Sequence, residues 1–188
     1  MGRAGMSGFG RCLLVAAVLG MAFVSSQAIS APTSIAVMDC VLIDDNASFN
    51  DAETNRLQQA RLNATSGVLR DQLRASQRYQ VADNAPAAAL IAQLGASQDL
   101  NACPDCARQV GRQLGVAQVA RCWVQKVSNL ILNINLHVED VASGATLFQR
   151  SVDIRGNTDL SWQRGATALV KLLVDGAATA APTSGAAP

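Results

Sequence analysis

The chain has 188 residues, 49% of them apolar, with 15 basic and 14 acidic side chains. That is about one domain's length with ample material for a core. A balance so close to neutral excludes the basic footprint that nucleic-acid binding needs.

Arg3 and Arg11 precede an apolar run over 12–24, and Ser26 and Ala28 then occupy the −3 and −1 positions that signal peptidase accepts. The pattern predicts a signal peptide over 1–28, cut after Ala28; a cut after Ala31 is disfavoured because Pro32 would become the first residue. The apolar run is shorter than the roughly 20 residues that cross a bilayer, so no stable membrane anchor is expected. Cys12 opens this run instead of closing it, which argues against lipidation. Export to the periplasm is the expectation. Removing the leader takes Arg3 and Arg11 and leaves 13 basic against 14 acidic residues. It also reduces five cysteines to four: Cys40, Cys103, Cys106 and Cys122. An even number in an oxidising compartment predicts one or two disulfides, with Cys103 to Cys106 the simplest pairing.

The domain proper is expected over 29–176. Ile35, Ala36, Val37 and Met38 read as a buried first strand over 34–40 with Asp39 at its carboxyl end. Asn50 and Glu53 resemble a capping box, and Leu57, Leu62, Val68, Leu69 and Leu73 carry a helix from there to about 76. Tyr79 to Ala82 form a second strand closed by Asp83 and Asn84, and a short helix covers 86–94. The CPDC segment opens the next helix: Pro104 suits its first position, Asp105 suits the positive end of its dipole, and Gly115 stops it.

Strands over 116–127, 130–140 and 146–155 follow, joined by turns at Ser128–Asn129 and Ser143–Gly144. Leu130, Leu132, Ile134, Leu136 and Val138 alternate with Asn133, Asn135, His137 and Glu139, so one face of the middle strand is core. Asn157 and Thr158 start a last helix, with Trp162, Leu169, Leu172 and Leu173 among its apolar positions, which Gly176 ends. The Ala/Pro-rich tail over 177–188 is expected to be disordered.

The order β-α-β-α-β-β-β-α predicts a single α/β (α+β) domain on one mixed five-stranded sheet. Right-handed crossovers make its first three strands parallel, and tight turns make the fourth and fifth alternate in direction. This brings Asp39, Cys103, Lys126, Asn129, Arg155, Asn157 and Asp159 to one edge, where Lys126, Ser128, Asn129, Arg155 and Asp159 form a candidate binding surface. The competing account is that Asn129 only makes a turn, Thr158 caps the helix, and Arg155 pairs with Asp159.

The segments WVQKVSNLILNINLHVEDVASG (123–144) and SVDIRGNTDLSWQRG (151–165), with IAVMDC and CPDCARQVGRQLGV, resemble a family of secreted proteobacterial domains of unknown function. The likeness spans about 34–175. More distantly, the order of elements resembles the curli-secretion lipoprotein and the amino-terminal domain of TolB, an anticodon-binding-like fold. The resemblance implies an accessory role in binding an envelope protein or a small ligand; association with a periplasmic oxidation system is implied by family members encoded near quinone-dependent alcohol dehydrogenases.

CPDC is the sharpest chemical motif, since a thiolate at a helix N-terminus is stabilised by the dipole. Catalysis through Cys103 and Cys106 competes with a structural disulfide, because no proline precedes a later strand as thioredoxin-like enzymes require. Cys40 and Cys122, on neighbouring strands, read either as a second bridge or as buried thiols. A four-cysteine zinc site is disfavoured because strand side chains diverge, and the lone His137 has no second histidine with which to hold a metal; it reads as part of a solvated face. Trp162 and Trp123 read as core. No triad order, phosphate loop or paired carboxylates can be assembled, so a binder without cofactor is favoured over an enzyme. Homo-oligomerisation through the tail and sheet edge is a third reading.

Overall fold

A computed structural model describes residues 31–100, 103 and 105–179. The predicted leader, Pro104 and the tail from 180 onward lie outside the described residues. The elements are β1 (Thr33–Val37), β2 (Val41–Asp44), α1 (Ala52–Ala75), β3 (Tyr79–Val81), α2 (Ala88–Ser97), α3 (Cys106–Leu114), β4 (Gln118–Lys126), β5 (Ile131–Asp140), β6 (Thr146–Arg155) and α4 (Asp159–Thr179). One mixed sheet runs β3-β1-β4-β5-β6, with β2 also paired to β4. The first three expected strands are parallel, here β1 with β3 and with β4; β5 runs against β4, and β6 turns back to run with it.

The sheet has six strands, not five, because the expected first strand over 34–40 ends at Val37 and the chain re-enters the sheet as β2, which lies beyond it. β1 pairs with the first half of β4, and β2 with its second half. At the break the carbonyl of Val37 leaves the ladder to accept from Arg70 Nη2 at 2.7 Å and Asn84 Nδ2 at 2.8 Å. The Cys40 N–H donates to Ser66 Oγ at 2.9 Å. Side chains of α1 and the β3–α2 loop thus take over hydrogen bonds that an unbroken strand would make with its neighbour.

Two other boundaries differ from the sequence reading. Asp51, not Asn50, caps α1: its carboxylate accepts from the Thr54 N–H at 2.7 Å. Asn50 instead reaches Asp44, and Glu53 pairs with Arg56 one turn on. α4 passes through Gly176 to Thr179, since glycine weakens a helix without breaking it.

Two apolar layers sandwich the sheet. α1 and α4 cover one face over Ile35, Val37, Val124, Leu132, Ile134, Leu136 and Val138, with Leu69, Trp162 and Leu169 contributed by the helices. α4 comes so close at Gly165 that a Cβ there would lie 2.7 Å from Ile154 and 2.9 Å from Ile134, so any larger residue would lift the helix. α2 and α3 cover part of the other face over Ala36, Met38, Val119 and Val141.

Candidate functional site

The carboxyl ends of β2, β4 and β6 meet the amino ends of α1 and α4 at one apex, and polar side chains tie its loops together. Lys126, the last residue of β4, lies beside Asp44, the last residue of β2, and its ammonium donates to the Asp44 carboxylate at 2.8 Å. The side chains are only 5% and 2% exposed. Burial pushes the Asp44 carboxyl up, but hydrogen bonds from Lys126, Asn50 and the Asn46 N–H outweigh it and hold the pKa below its ordinary value. Asn46 Nδ2 also reaches the carbonyl of Val127 at 3.5 Å, joining the loop after β2 to the β4–β5 turn.

Asn157 is the second knot. Its Oδ1 accepts from Trp162 Nε1 at 2.9 Å and from Arg61 Nη1 at 3.2 Å, while its amide donates to Asn129 Oδ1 at 3.3 Å. Arg61, from α1, also pairs with Asp159 at 2.7 Å. Ser128 Oγ accepts from the N–H groups of Leu130 and Ile131, which fixes the hairpin turn. Thr158 caps α4 by accepting from the Ser161 N–H at 3.2 Å.

On this braced apex sit large apolar side chains in water: Phe49 is 85% exposed, Leu130 72%, and Val127, Ile131 and Leu160 about half or more. The sequence reading singled out the polar residues here and missed these. Leu130, expected to open the buried face of the strand over 130–140, lies instead in the turn before β5, so it is exposed; for Phe49 a signal was available, since it lies between a strand and a cap, where the pattern offers no buried position.

The expected edge is only partly assembled. Lys126, Ser128, Asn129, Arg155, Asn157 and Asp159 gather at the apex. Lys126 is buried beneath it, which removes it as a surface contact. Arg155 is exposed and Asp159 bonds to Arg61, so the Arg155–Asp159 pair does not form. Asp39 sits at the strand break, about four residues and roughly 13 Å back along the sheet from Lys126, where it pairs with Arg70 at 2.7 Å. Cys103 packs with the α2 and α3 layer.

Both disulfides are formed, Cys40–Cys122 across the strand break and Cys103–Cys106 at the start of α3. The Cys106 N–H donates to Cys103 Sγ at 3.1 Å, Gln98 Nε2 donates to Cys106 Sγ at 3.0 Å, and Cys106 is 1% exposed. His137 is not on a freely solvated face. It is largely enclosed, with Nδ1 2.6 Å from Arg121, Nε2 3.0 Å from Thr146 Oγ1, and Glu139 alongside. Burial and then the Arg121 charge lower its pKa, against the opposing pull of Glu139. Trp123, expected in the core, is half-buried on the sheet face opposite α1 and α4. Among the described residues no three His, Cys, Asp or Glu side chains converge as metal ligands, and no helix is long and apolar enough to cross a membrane.

The family model DUF3280, described as "Protein of unknown function (DUF2380)", matches residues 33–173. The chain belongs to this family. The match takes in both segments that carried the sequence resemblance, and the structure brings 126–132 and 155–162 together at the apex. No curated protein matches the chain.

Among solved structures, the hypothetical protein CT253 of Chlamydia trachomatis is similar with a TM-score of 0.52 and 14% identity over 77% of this chain and 96% of that one. The E. coli LpoB structure is similar with a TM-score of 0.50 and 14% identity over 69% of this chain, which spans 60% of that protein. TolB from Acinetobacter baumannii is similar over 79% of this chain and 29% of its own length, with 13% identity and a TM-score of 0.46. The fold is that of an LpoB-like mixed α/β domain.

Proposed function

We propose that the chain is an exported periplasmic accessory protein that binds an envelope protein through the apex carrying Phe49, Val127, Leu130 and Leu160. The observation that carries this reading is the exposure of those side chains on loops that Asn46, Asn157 and Arg61 already hold in place. Apolar anchors presented on a braced surface lose little freedom on docking, so burying them is favourable. The leader pattern and the second disulfide support an oxidising compartment. The likeness to LpoB supports a binding role only as analogy of fold.

A photo-crosslinking residue placed at position 49 or 130, in the native envelope, is expected to capture one discrete partner, whereas the same residue at exposed position 113 on α3 is not. Leu130→Asp, which leaves the core untouched, is expected to abolish capture from position 49, since losing a hot-spot anchor costs about 2 kcal/mol or more. Equal labelling from 113, or capture that survives Leu130→Asp, overturns the reading. A product of twice the chain's own mass replaces the envelope partner with a second copy.

A second reading is thiol–disulfide exchange, favoured by the Cys106 N–H that points at Cys103 Sγ. In it, a partner dithiol attacks Cys103 Sγ and is oxidised to a disulfide, while Cys103 and Cys106 take up two electrons and two protons. An acidic Cys103 thiol that exchanges with glutathione supports it; a bridge that does not exchange leaves a structural staple.

A further inference from the structure

The apex leaves one large surface unused. α2 and α3 cover the second sheet face only around β1 and the start of β4, and the strand registers lay out the remainder as a grid. Val41, Trp123, Asn135 and Ser151 stand side by side in one row, and Ile43, Gln125, Asn133 and Asp153 in the next. Strands lie about 4.8 Å apart and rows about 6.8 Å apart, so these two rows make a shallow strip roughly 14 Å long across four strands.

The chemistry of the strip is unusual for an exposed sheet. Its middle consists of an indole flanked by three carboxamides and a hydroxyl, with Asp153 the one charge and that at the sheet edge. Two cations flank the strip: Arg121 in the row toward α3, engaged by Glu139 and His137, and Arg155 at the sheet edge, two residues beyond Asp153 and on the same face. Asn135 Nδ2 donates to Asn133 Oδ1 at 2.6 Å and to the Trp123 carbonyl at 3.4 Å, which fixes both amides beside the ring. This leaves the Asn133 amide N–H groups as donors and Asn135 Oδ1 as an acceptor.

An apolar protein surface seated here would strand those amides, at about 1–3 kcal/mol each. A nucleic acid would meet only Arg155 at the edge, beside the Asp153 carboxylate, too little positive charge for a row of phosphates. A sugar ring satisfies both halves of the strip: its C–H face packs on the indole, and its hydroxyls both donate to and accept from carboxamides. We infer that this face binds a neutral oligosaccharide, with one ring stacked on Trp123 and adjacent hydroxyls held by Gln125, Asn133 and Asn135. The inference is independent of the apex reading, since none of its residues is an apex anchor; the row of Ile131 and Arg155 separates the strip from the apex.

The chain has two tryptophans, and Trp162 is 1% exposed, so the solvent-sensitive emission comes from Trp123. The purified protein is titrated with cellohexaose and with chitohexaose, and with polygalacturonate as an acidic counterpart. At least one neutral oligomer is expected to blue-shift the emission and protect it from acrylamide. By calorimetry, Trp123→Ala and the double variant Asn133→Ala/Asn135→Ala are each expected to bind at least about tenfold more weakly, the scale of one lost stacking or amide contact. Near-UV circular dichroism matching the parent protein shows that the double variant is folded. The inference is overturned if neither neutral oligomer changes emission or heat at millimolar concentration, if only the acidic polymer binds, or if the folded double variant binds as well as the parent.

Discussion

Lys126 carries its ammonium beneath the apex because Asp44 ends the neighbouring parallel strand at the same height. Desolvating both charges is costly, so the pair holds together mainly because removing either partner is worse. Lys126→Ala is therefore expected to lower stability by about 3–5 kcal/mol, and the apolar double change Asp44→Val/Lys126→Met, closer to the original volumes, by less. Urea unfolding followed through Trp162 fluorescence checks both; a loss below about 1 kcal/mol in Lys126→Ala would show that water reaches the buried carboxylate. The sequence reading placed Lys126 at the correct end of its strand but on the surface. Its position followed from period and turn, whereas its burial depends on a partner 82 residues away that nothing local announces. His137 is the same kind of case, since the alternation that put it on the polar face says nothing of Arg121 and Glu139 closing around it.

At the scale of elements, the alternation in β5, the helical spacing in α1 and α4 and the turns between β4, β5 and β6 were legible because each is a local pattern. The break between β1 and β2 was not, because Val37 leaves the ladder for Arg70 and Asn84, which arrive from elsewhere in the chain. The two disulfides differ for a related reason. Cys40 and Cys122 close a loop across 82 residues, whereas Cys103 and Cys106 are three apart. Loop-closure entropy then gives the first bridge about 4 kcal/mol and the second less than about half of that. Cys40→Ala/Cys122→Ala is accordingly expected to shift the urea midpoint well below that of Cys103→Ala/Cys106→Ala. Equal shifts would show that the bridge in the CPDC segment acts by holding the α2 and α3 layer together.

For the molecule as a whole, two enclosed groups contribute to the response to acid in different windows, the lower one shared with the hydrogen-bonded surface carboxylates Asp51, Glu53, Asp105 and Asp140. His137 has a folded pKa below 6.5, so the unfolded chain takes up a proton first as pH falls; its contribution is complete above about pH 6.5 and declines below it. Asp44 has a folded pKa below 3.8, so its contribution persists to about pH 3.8 and is lost as pH drops further through the folded value. Stability measured by urea midpoint is expected to be level above pH 6.5, to slope gently down as pH falls from there through the folded pKa of His137, and to fall again below pH 3.8. His137→Gln is expected to flatten the first slope and spare the second; an unchanged first slope would assign it to other groups. The overall architecture was legible because the order of elements and the handedness of crossovers leave few alternatives, while the binding surfaces depend on which loops touch. The place of β4 has a consequence in time as well as in space. It is the only strand that pairs with both β1 and β2, and it begins at Gln118. A chain threaded amino end first must therefore carry β1, β2 and an unpaired Cys40 until some two thirds of its length has emerged, and only then close its central ladder and its long disulfide in one step.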